Sequence, residues 1–575
     1  MSNRKSFYLY TTKKRNHTIP LDSTPLFLGN WCVNIFSDRN DFKNEPVIIK
    51  HRWKDKERHN ADYEYIEKLY ERYLLIVSTR LNDLNGVNNS IQYWRILIGP
   101  WLMYMTIVFF ERYHCLEDAI KKFDIVGCLK SNESIDRFIP NDMEDFNKFI
   151  GQDSWNFFVY SQIIDFLIPN NDFEKLEYVK SKINKDKTGQ TLKLFLLKIL
   201  EFLFSFAAKS FLRSTITESK YLFLGTYLGF RDFIKLNFKT LQVPLYDNIS
   251  KPQSSKIDFK LRLSLKIKKN KKKNFENYFS EKLFLFLPVI YLEGFVKLKC
   301  EYRNLVLPKN PSVIFTSATI YHRSLFMLYV AEKTNQGAKL ILGQHGGLYI
   351  TGKYHRQEKH EIKISDKFLT WGNHNTNHKI VNVGMISKPK FYKRVSHPQK
   401  ILIVLNSIPQ YVGNLNTDNL IVRFDEYIEE CLNLCQLLFY NTKLKKNLTL
   451  RMYYHDYGWN EKQIFKTKLP DIKYEDTNFN IWKSIAKSKI VIFTYNSTGI
   501  LEMMALNSPI LIFINFDIDQ VRDEALSHFH KLKESKILHT NVISLNNHLS
   551  SIWDNVDEWW YSEEIQTEIM DFKYN

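Results

Sequence analysis

Cysteine is sparse in this chain. Cys32, Cys115, Cys128, Cys300, Cys431 and Cys435 are scattered over 575 residues. Only the last two are close, as C-x3-C, and none of the cysteines has zinc-ligand spacing. The scatter fits a reducing compartment. Proline and glycine are also few, 16 and 19, which excludes a linker-rich protein. No apolar run reaches the roughly 20 residues of a membrane span. The longest, Ile96–Phe110, contains Gly99 and Pro100 and reads as a buried helix. The N-terminal stretch is basic but lacks the apolar core of a signal peptide. The expected location is the cytoplasm, with peripheral contact at the inner face of the plasma membrane as an added reading. A convincing D-x-D metal motif is missing too. Asp517-Ile518-Asp519 matches the letters but follows a strand at the far side of its unit. No metal and no cofactor are expected.

What is present is core and positive charge. The 44% hydrophobic and 15% aromatic content argues for ordered structure, and the length for two or more domains. Lys and Arg exceed Asp and Glu by 81 − 62, a net charge of +19. That balance suits anionic partners: nucleotides, nucleic acid or an acidic membrane face. The strongest basic block, Lys251–Asn274, ends in KLRLSLKIKKNKKKN. It reads either as a solvated loop or, through Lys266–Lys273, as a contact for anionic lipid or a polyanionic acceptor. It lacks the interleaved aromatics of a stacking surface, so nucleic acid is not an expected partner.

Along the chain, Ser6–Thr11 and Pro25–Trp31 are strand candidates, the second ending at Gly29-Asn30. Glycine there permits a tight turn or a close ligand approach. Lys54–Asn82 carries Tyr63, Ile66, Leu69, Tyr70, Tyr73, Leu74, Val77 and Leu81 at helical spacing, a core stripe. Arg95 lies in the apolar SIQYWRILIGPW and needs an anionic partner, either a substrate or an internal carboxylate. Residues 116–245 alternate helices and loops without a catalytic cluster, and Thr191–Phe211 reads as a buried helix.

From about residue 311 the texture turns to alternating strand and helix. Leu340–Leu342 ends at Gly343-Gln344-His345-Gly346-Gly347. A histidine among glycines at a strand tip suits a site better than a core. Lys388–Gln399 is a candidate interdomain linker, after which Lys400–Leu405 and the helix Asp418–Tyr440 open a second α/β series. Leu448–Tyr453 runs into His455-Asp456. Lys489–Asn515 then reads as strand, tight turn, helix, strand, with the turn at Asn496-Ser497-Thr498-Gly499. Such a turn offers helix N–H groups and hydroxyls to a phosphate. It is equally an ordinary βα turn capped by Ser or Thr.

Two α/β halves joined near residue 390 resemble the GT-B glycosyltransferase architecture. The resemblance implies an N-terminal Rossmann-like acceptor domain, residues 1–390, with a helical insertion at about 52–300. The C-terminal Rossmann-like domain, residues 391–575, would hold the nucleotide donor. His455, NSTG, Glu502 and Pro509 resemble the His and Ser/Thr motifs of sialyltransferase-like and Kdo-transferase-like enzymes, which use CMP-sugars. Polyol-phosphate transferases of teichoic-acid synthesis, with CDP-linked donors, carry a similar pair. Asp456 stands where those motifs have proline after the histidine. Over the whole chain, PLFLGNWC, SIQYWRILIGPWL, GQHGGLY, SDKFLTWG, RMYYHDYGW and NSTG…E…SP resemble a family of transferases from bacterial surface-polysaccharide gene clusters.

The resemblance implies a glycosyltransferase moving a sugar from a nucleotide-activated donor, CMP-linked by preference, to a cell-surface polysaccharide, glycan or lipid-linked acceptor. Ser497, Thr498 and His455 would hold the donor phosphate, with Asn496 and Gly499 in the same turn. Arg451 is a second cation on the preceding strand, and Glu502 either orients a ribose or caps the helix. His345 is the candidate base, with Glu361 or Asp366 orienting it or taking its place. Gly29, Asn30, Gln344, Gly346 and Gly347 fall on the acceptor side. The alternatives are a CDP-polyol phosphotransferase and a non-catalytic scaffold of polysaccharide assembly.

Overall fold

The computed structural model describes residues 5–13, 20, 22–33, 42, 44–176, 212–247, 249–267, 273–372, 377–387, 389, 391–413, 421–515 and 520–574. The expected helix Thr191–Phe211, most of Lys266–Lys273, Asp517-Ile518-Asp519 and the start of the helix at Asp418 lie outside the described residues.

Seventeen strands are described in four sheets, all with parallel pairing. β1 (Ser6–Tyr10), β2 (Thr24–Phe27), β3 (Val47–Ile48) and β4 (Asp124–Cys128) form one, in the order β3-β2-β1-β4. β5 (Lys130–Ser131) pairs with β6 (Lys175–Leu176). β7 (Tyr221–Phe223), β8 (Val313–Thr316), β9 (Lys339–Gly343), β10 (Lys367–Thr370) and β11 (Ile380–Asn382) make a five-stranded sheet. The C-terminal sheet holds β12 (Lys400–Val404), β13 (Leu448–Arg451), β14 (Lys473–Tyr474), β15 (Ser488–Phe493), β16 (Ile510–Phe513) and β17 (Leu538–His539), ordered β14-β13-β12-β15-β16-β17.

That last order is the doubly wound Rossmann arrangement, in which the chain reverses direction of growth between its first and fourth strands. Here the reversal falls between β12 and β15. Helices on both faces explain why β15 is a continuous apolar run rather than an alternating one; Ile490, Val491, Ile492 and Phe493 are all buried. The five-stranded sheet grows in chain order instead. The strands of residues 6–48 build their own small sheet rather than extending it, and β7 comes from the stretch expected as a helical insertion. The fold is α/β and GT-B-like, with two Rossmann-like halves facing across a cleft.

The helical region behaves as its patterning requires. Helix Lys56–Asn85 starts on Asp55, whose carboxylate accepts from Arg58 N, and ends on Gly86 at φ +60°. Its stripe Tyr63 through Leu81 is buried. The Gly-Pro break separates helices Ile91–Leu97 and Gly99–Lys122, bent by 68°. Pro100 sits in the first turn of the second, where a missing N–H costs nothing. No single described helix is long and apolar enough to cross a membrane. Arg95 finds an internal partner: both its terminal nitrogens donate to the Glu71 carboxylate, at 2.9 and 2.8 Å.

Candidate functional site

The carboxyl edges of the two large sheets meet at a cleft of about 590 Å³. One wall is the segment after β9, running from His345 to Gln357. The other is made from loops of the C-terminal sheet: Asn406–Pro409 after β12, Tyr453 and Tyr457 after β13, and Tyr495–Gly499 after β15. The β12 and β15 loops flank the point where strand order reverses, the place where open α/β sheets bind ligands.

The walls are stitched by backbone. Gly347 N–H donates to Thr498 Oγ at 3.0 Å. Lys353 N–H reaches Gln520 O at 2.7 Å and Arg522 N–H reaches Thr351 O at 2.9 Å. Arg522 also donates to Gly352 O and pairs with Glu358, each at 2.9 Å. A side chain on Gly347 would sit 2.8 Å from Thr498 N, so only glycine lets the loops touch.

Ser497 is the N-cap of helix Thr498–Ala505, with extended φ and ψ of −136° and 158°. Its hydroxyl nevertheless makes no cap bond. The Oγ is buried beside the Tyr495 hydroxyl but makes no well-formed hydrogen bond within the protein. Such an atom costs free energy unless something else satisfies it. The first N–H groups of the helix lack intrahelical acceptors as well. Asn496, Ser497, Thr498 and Gly499 all line the cleft.

Opposite them, His345 shares a buried cluster. The Tyr349 hydroxyl donates to Glu361 Oε1 at 3.0 Å and lies 3.1 Å from His345 Nδ1. Gln357 Nε2 donates toward His345 Nε2 at 3.3 Å. Glu361 itself is 3.9 Å from the imidazole. Burial pushes the His345 pKa down to about 4, so the ring is neutral at pH 7. Burial pushes the Glu361 carboxyl well up, against the hydrogen bonds from Tyr349 and Tyr321. Gln344 braces the loop: its carbonyl accepts from Trp371 N at 2.9 Å and its amide donates to Gly346 O at 2.8 Å.

Several expected site residues are placed elsewhere. β13 ends at Arg451, so strand alternation does not carry to His455. His455 is exposed, stacks edge-on against Tyr457 at 4.6 Å and does not line the cleft; Tyr453 and Tyr457 do. Arg451 is a structural cation: it donates to Glu475 at 2.6 Å and to Phe479 O at 2.8 Å. Asp366 precedes β10, at the amino edge of the sheet, where it accepts from Lys339 Nζ and Leu340 N, both at 2.9 Å. His345 is at the opposite edge. Gly29 and Asn30 follow β2 in the small sheet, Gly29 against the Trp31 ring, and neither is among the cleft's lining residues. Glu502 sits on helix Thr498–Ala505 outside that lining, its carboxyl pushed up to about 7 by burial.

Sequence patterns did not single out Tyr349, Gln357, Ser407, Tyr453 or Tyr457. Tyr349 stands at the end of GQHGGLY, and its distance of four residues from His345 was the available signal. Ser407 hydrogen-bonds the buried Glu461, whose carboxyl burial raises to about 7.

Parallel sheets with a cleft at the strand-order reversal define a class, the open α/β proteins. The LIC12162 family transferase model matches residues 7–575, and the chain belongs to that family of transferases. No curated protein matches the sequence. Among solved structures, TarM is 12% identical with a TM-score of 0.30, over 45% of this chain and 52% of that one. The chain thus spans about half the length of TarM. S. aureus MnaA, solved with UDP, is 11% identical with a TM-score of 0.33, over 49% of this chain and 77% of its own. The O-GlcNAc transferase of Thermobaculum terrenum is 8% identical with a TM-score of 0.31, over 83% of this chain and 89% of its own.

Proposed function

We propose that the protein is a glycosyltransferase. It moves a sugar from a nucleotide-activated donor to a cell-surface polysaccharide or glycan acceptor, without a metal or cofactor. The observation that carries this reading is the buried Ser497 Oγ, without a well-formed hydrogen bond, at a helix N-terminus and at the strand-order reversal of a Rossmann-like sheet. A donor phosphate placed there gains that hydroxyl and the helix N–H groups.

In this reading the acceptor hydroxyl approaches from the His345 side. With the Gln357 amide displaced from Nε2, that nitrogen of the neutral imidazole takes its proton as the acceptor oxygen bonds to the sugar's anomeric carbon. The bond from that carbon to the donor phosphate breaks, and the phosphate leaves with the electron pair. Its charge is met by Ser497 and the helix terminus. Tyr349 and Glu361 position the ring. The resemblance of the NSTG turn to that of CMP-sugar enzymes favours CMP as the leaving nucleotide.

A thermal-shift panel tests this, because a ligand selective for the folded state raises its stability. CMP or CDP should stabilise the protein and UDP and GDP should not. Selective stabilisation by UDP would overturn the donor assignment. No shift with any nucleotide would overturn the nucleotide-sugar glycosyltransferase reading itself.

A further inference from the structure

On the far side of the Gly347–Thr498 contact lies a second and larger cavity, of about 850 Å³. It shares Gly347, Tyr349 and Thr351 with the cleft described above, so the two are neighbours across one thin strut. We propose that this cavity holds the hydrocarbon part of an amphipathic acceptor, whose polar head lies toward the strut. The inference rests on the transferase reading and adds the acceptor's class and its site.

Large apolar side chains line it among polar ones. Trp371 and Met385 come from the five-stranded half, Leu501 from helix Thr498–Ala505, and Phe529 and Phe572 from the C-terminal helices. That composition and size are those of a small-molecule site. The volume exceeds that of the donor cleft. Gln344, Asn382, Arg522, Glu524, His528 and Lys573 supply its polar groups.

Two further observations point to a ligand. Trp371 is only 7% exposed, and its indole N–H is buried with no hydrogen-bond partner. A buried indole N–H ordinarily finds an acceptor, and a ligand oxygen at the junction of head and chain would serve. Ile350, on the same wall, holds φ at +68°. A β-branched residue is a true outlier there. It is kept so by its N–H donating to Glu358 Oε2 at 2.9 Å. Backbone strain of this kind clusters at ligand sites, where the surrounding structure over-determines it.

The geometry also limits the acceptor. Anything filling the larger cavity meets His345 and the NSTG turn across the shared wall of Gly347, Tyr349 and Thr351. The head group must therefore be compact or lead directly into the cleft. A fully hydrophilic glycan would leave Trp371, Met385, Leu501, Phe529 and Phe572 without a partner.

Octyl β-D-glucoside below its micelle concentration is a suitable probe, with binding followed by calorimetry on the full chain. Saturable binding is expected, with glucose alone not binding. Ala505→Trp and Ala525→Trp fill the cavity from two different walls, and each should weaken binding at least about tenfold, on the scale where 1.4 kcal/mol is one decade. Trp371→Phe keeps an aromatic ring and removes the N–H with one ring of the indole, and should weaken binding at least about fivefold, the worth of one hydrogen bond. Binding of glucose as tight as that of the alkyl glucoside, or binding unchanged in both tryptophan variants, would overturn the proposal. The nucleotide panel separates the two readings. If every nucleotide fails while octyl glucoside still binds and the variants respond, the nucleotide-sugar glycosyltransferase reading falls and the apolar site stands.

Discussion

Gly347 N–H donates to Thr498 Oγ across 3.0 Å, joining the loop after β9 to the helix after β15. The sequence separation is 151 residues, and the contact fixes how far apart the two walls of the cleft stand. A methyl group on Gly347 would lie 2.8 Å from Thr498 N and 2.9 Å from its Cα, both main-chain atoms that cannot swing aside. Gly347→Ala should therefore wedge the walls apart, costing about 1–3 kcal/mol of stability as overpacking does. It should also abolish nucleotide-dependent stabilisation. Denaturant melts with and without nucleotide measure both quantities. An unchanged melting curve would show that the strut is dispensable.

Ser497 should behave in the opposite way. Its Oγ has no well-formed hydrogen bond to lose, so Ser497→Ala leaves the ligand-free protein within about 1 kcal/mol of the parent, or more stable, because a desolvated polar atom has been removed. Nucleotide stabilisation should nonetheless fall. Thr498→Val gives the contrast: it breaks the bond from Gly347 and should lower stability even without ligand. Equal losses in both variants without ligand would mean that Ser497 is a structural residue.

The two variants also mark how far residue patterns reach. The apolar runs and their turn residues made β9, β10, β12, β13, β15 and β16 readable, because strands buried on both faces need no tertiary information to be seen. The cleft's GQHGG and NSTG tips were readable for the same reason. Arg451 and Asp366 were not, since a charge at a strand end looks identical whether it faces a ligand or an internal partner, Glu475 for the one and Lys339 for the other. His455 depended on where β13 stops, and that is set by the turn to Tyr453 and Tyr457 rather than by the strand itself. Tyr349 was hidden because a buried tyrosine reads as core. Only the fold brings Glu361 from the next helix to its hydroxyl.

Burial of Glu502 gives a pH prediction. Its carboxyl rises from 4.5 in the unfolded chain to about 7 in the folded one. Between those values the folded state binds more protons than the unfolded state. Stability contributed by this group is therefore complete below the unfolded pKa and is lost as pH rises through about 7. Glu461 rises to about 7 for the same main reason and adds to the same window. Glu502→Gln should flatten the decline in melting temperature between pH 5 and pH 8, making the variant relatively more stable at the alkaline end. A slope unchanged from the parent would remove Glu502 from this account.

The basic block contains one residue that is not there for solvent or lipid. Arg262 is completely buried, with its Nε and Nη2 on the Glu293 carboxylate at 2.6 Å each. Its Nη1 donates to three carbonyls, Phe284 and Leu285 at 3.0 Å and Leu287 at 2.8 Å. A planar fork is needed for that set, and an ammonium group cannot reproduce it. Arg262→Lys should therefore destabilise the protein although charge is kept, and Arg262→Ala should cost about 3–5 kcal/mol by stranding Glu293. Replacing Arg262 and Glu293 together by Met and Leu should recover most of the loss, since the buried charge then disappears. Urea melts of the four proteins decide it. If the double variant is no better than Arg262→Ala, the three carbonyls rather than Glu293 are the partners that matter.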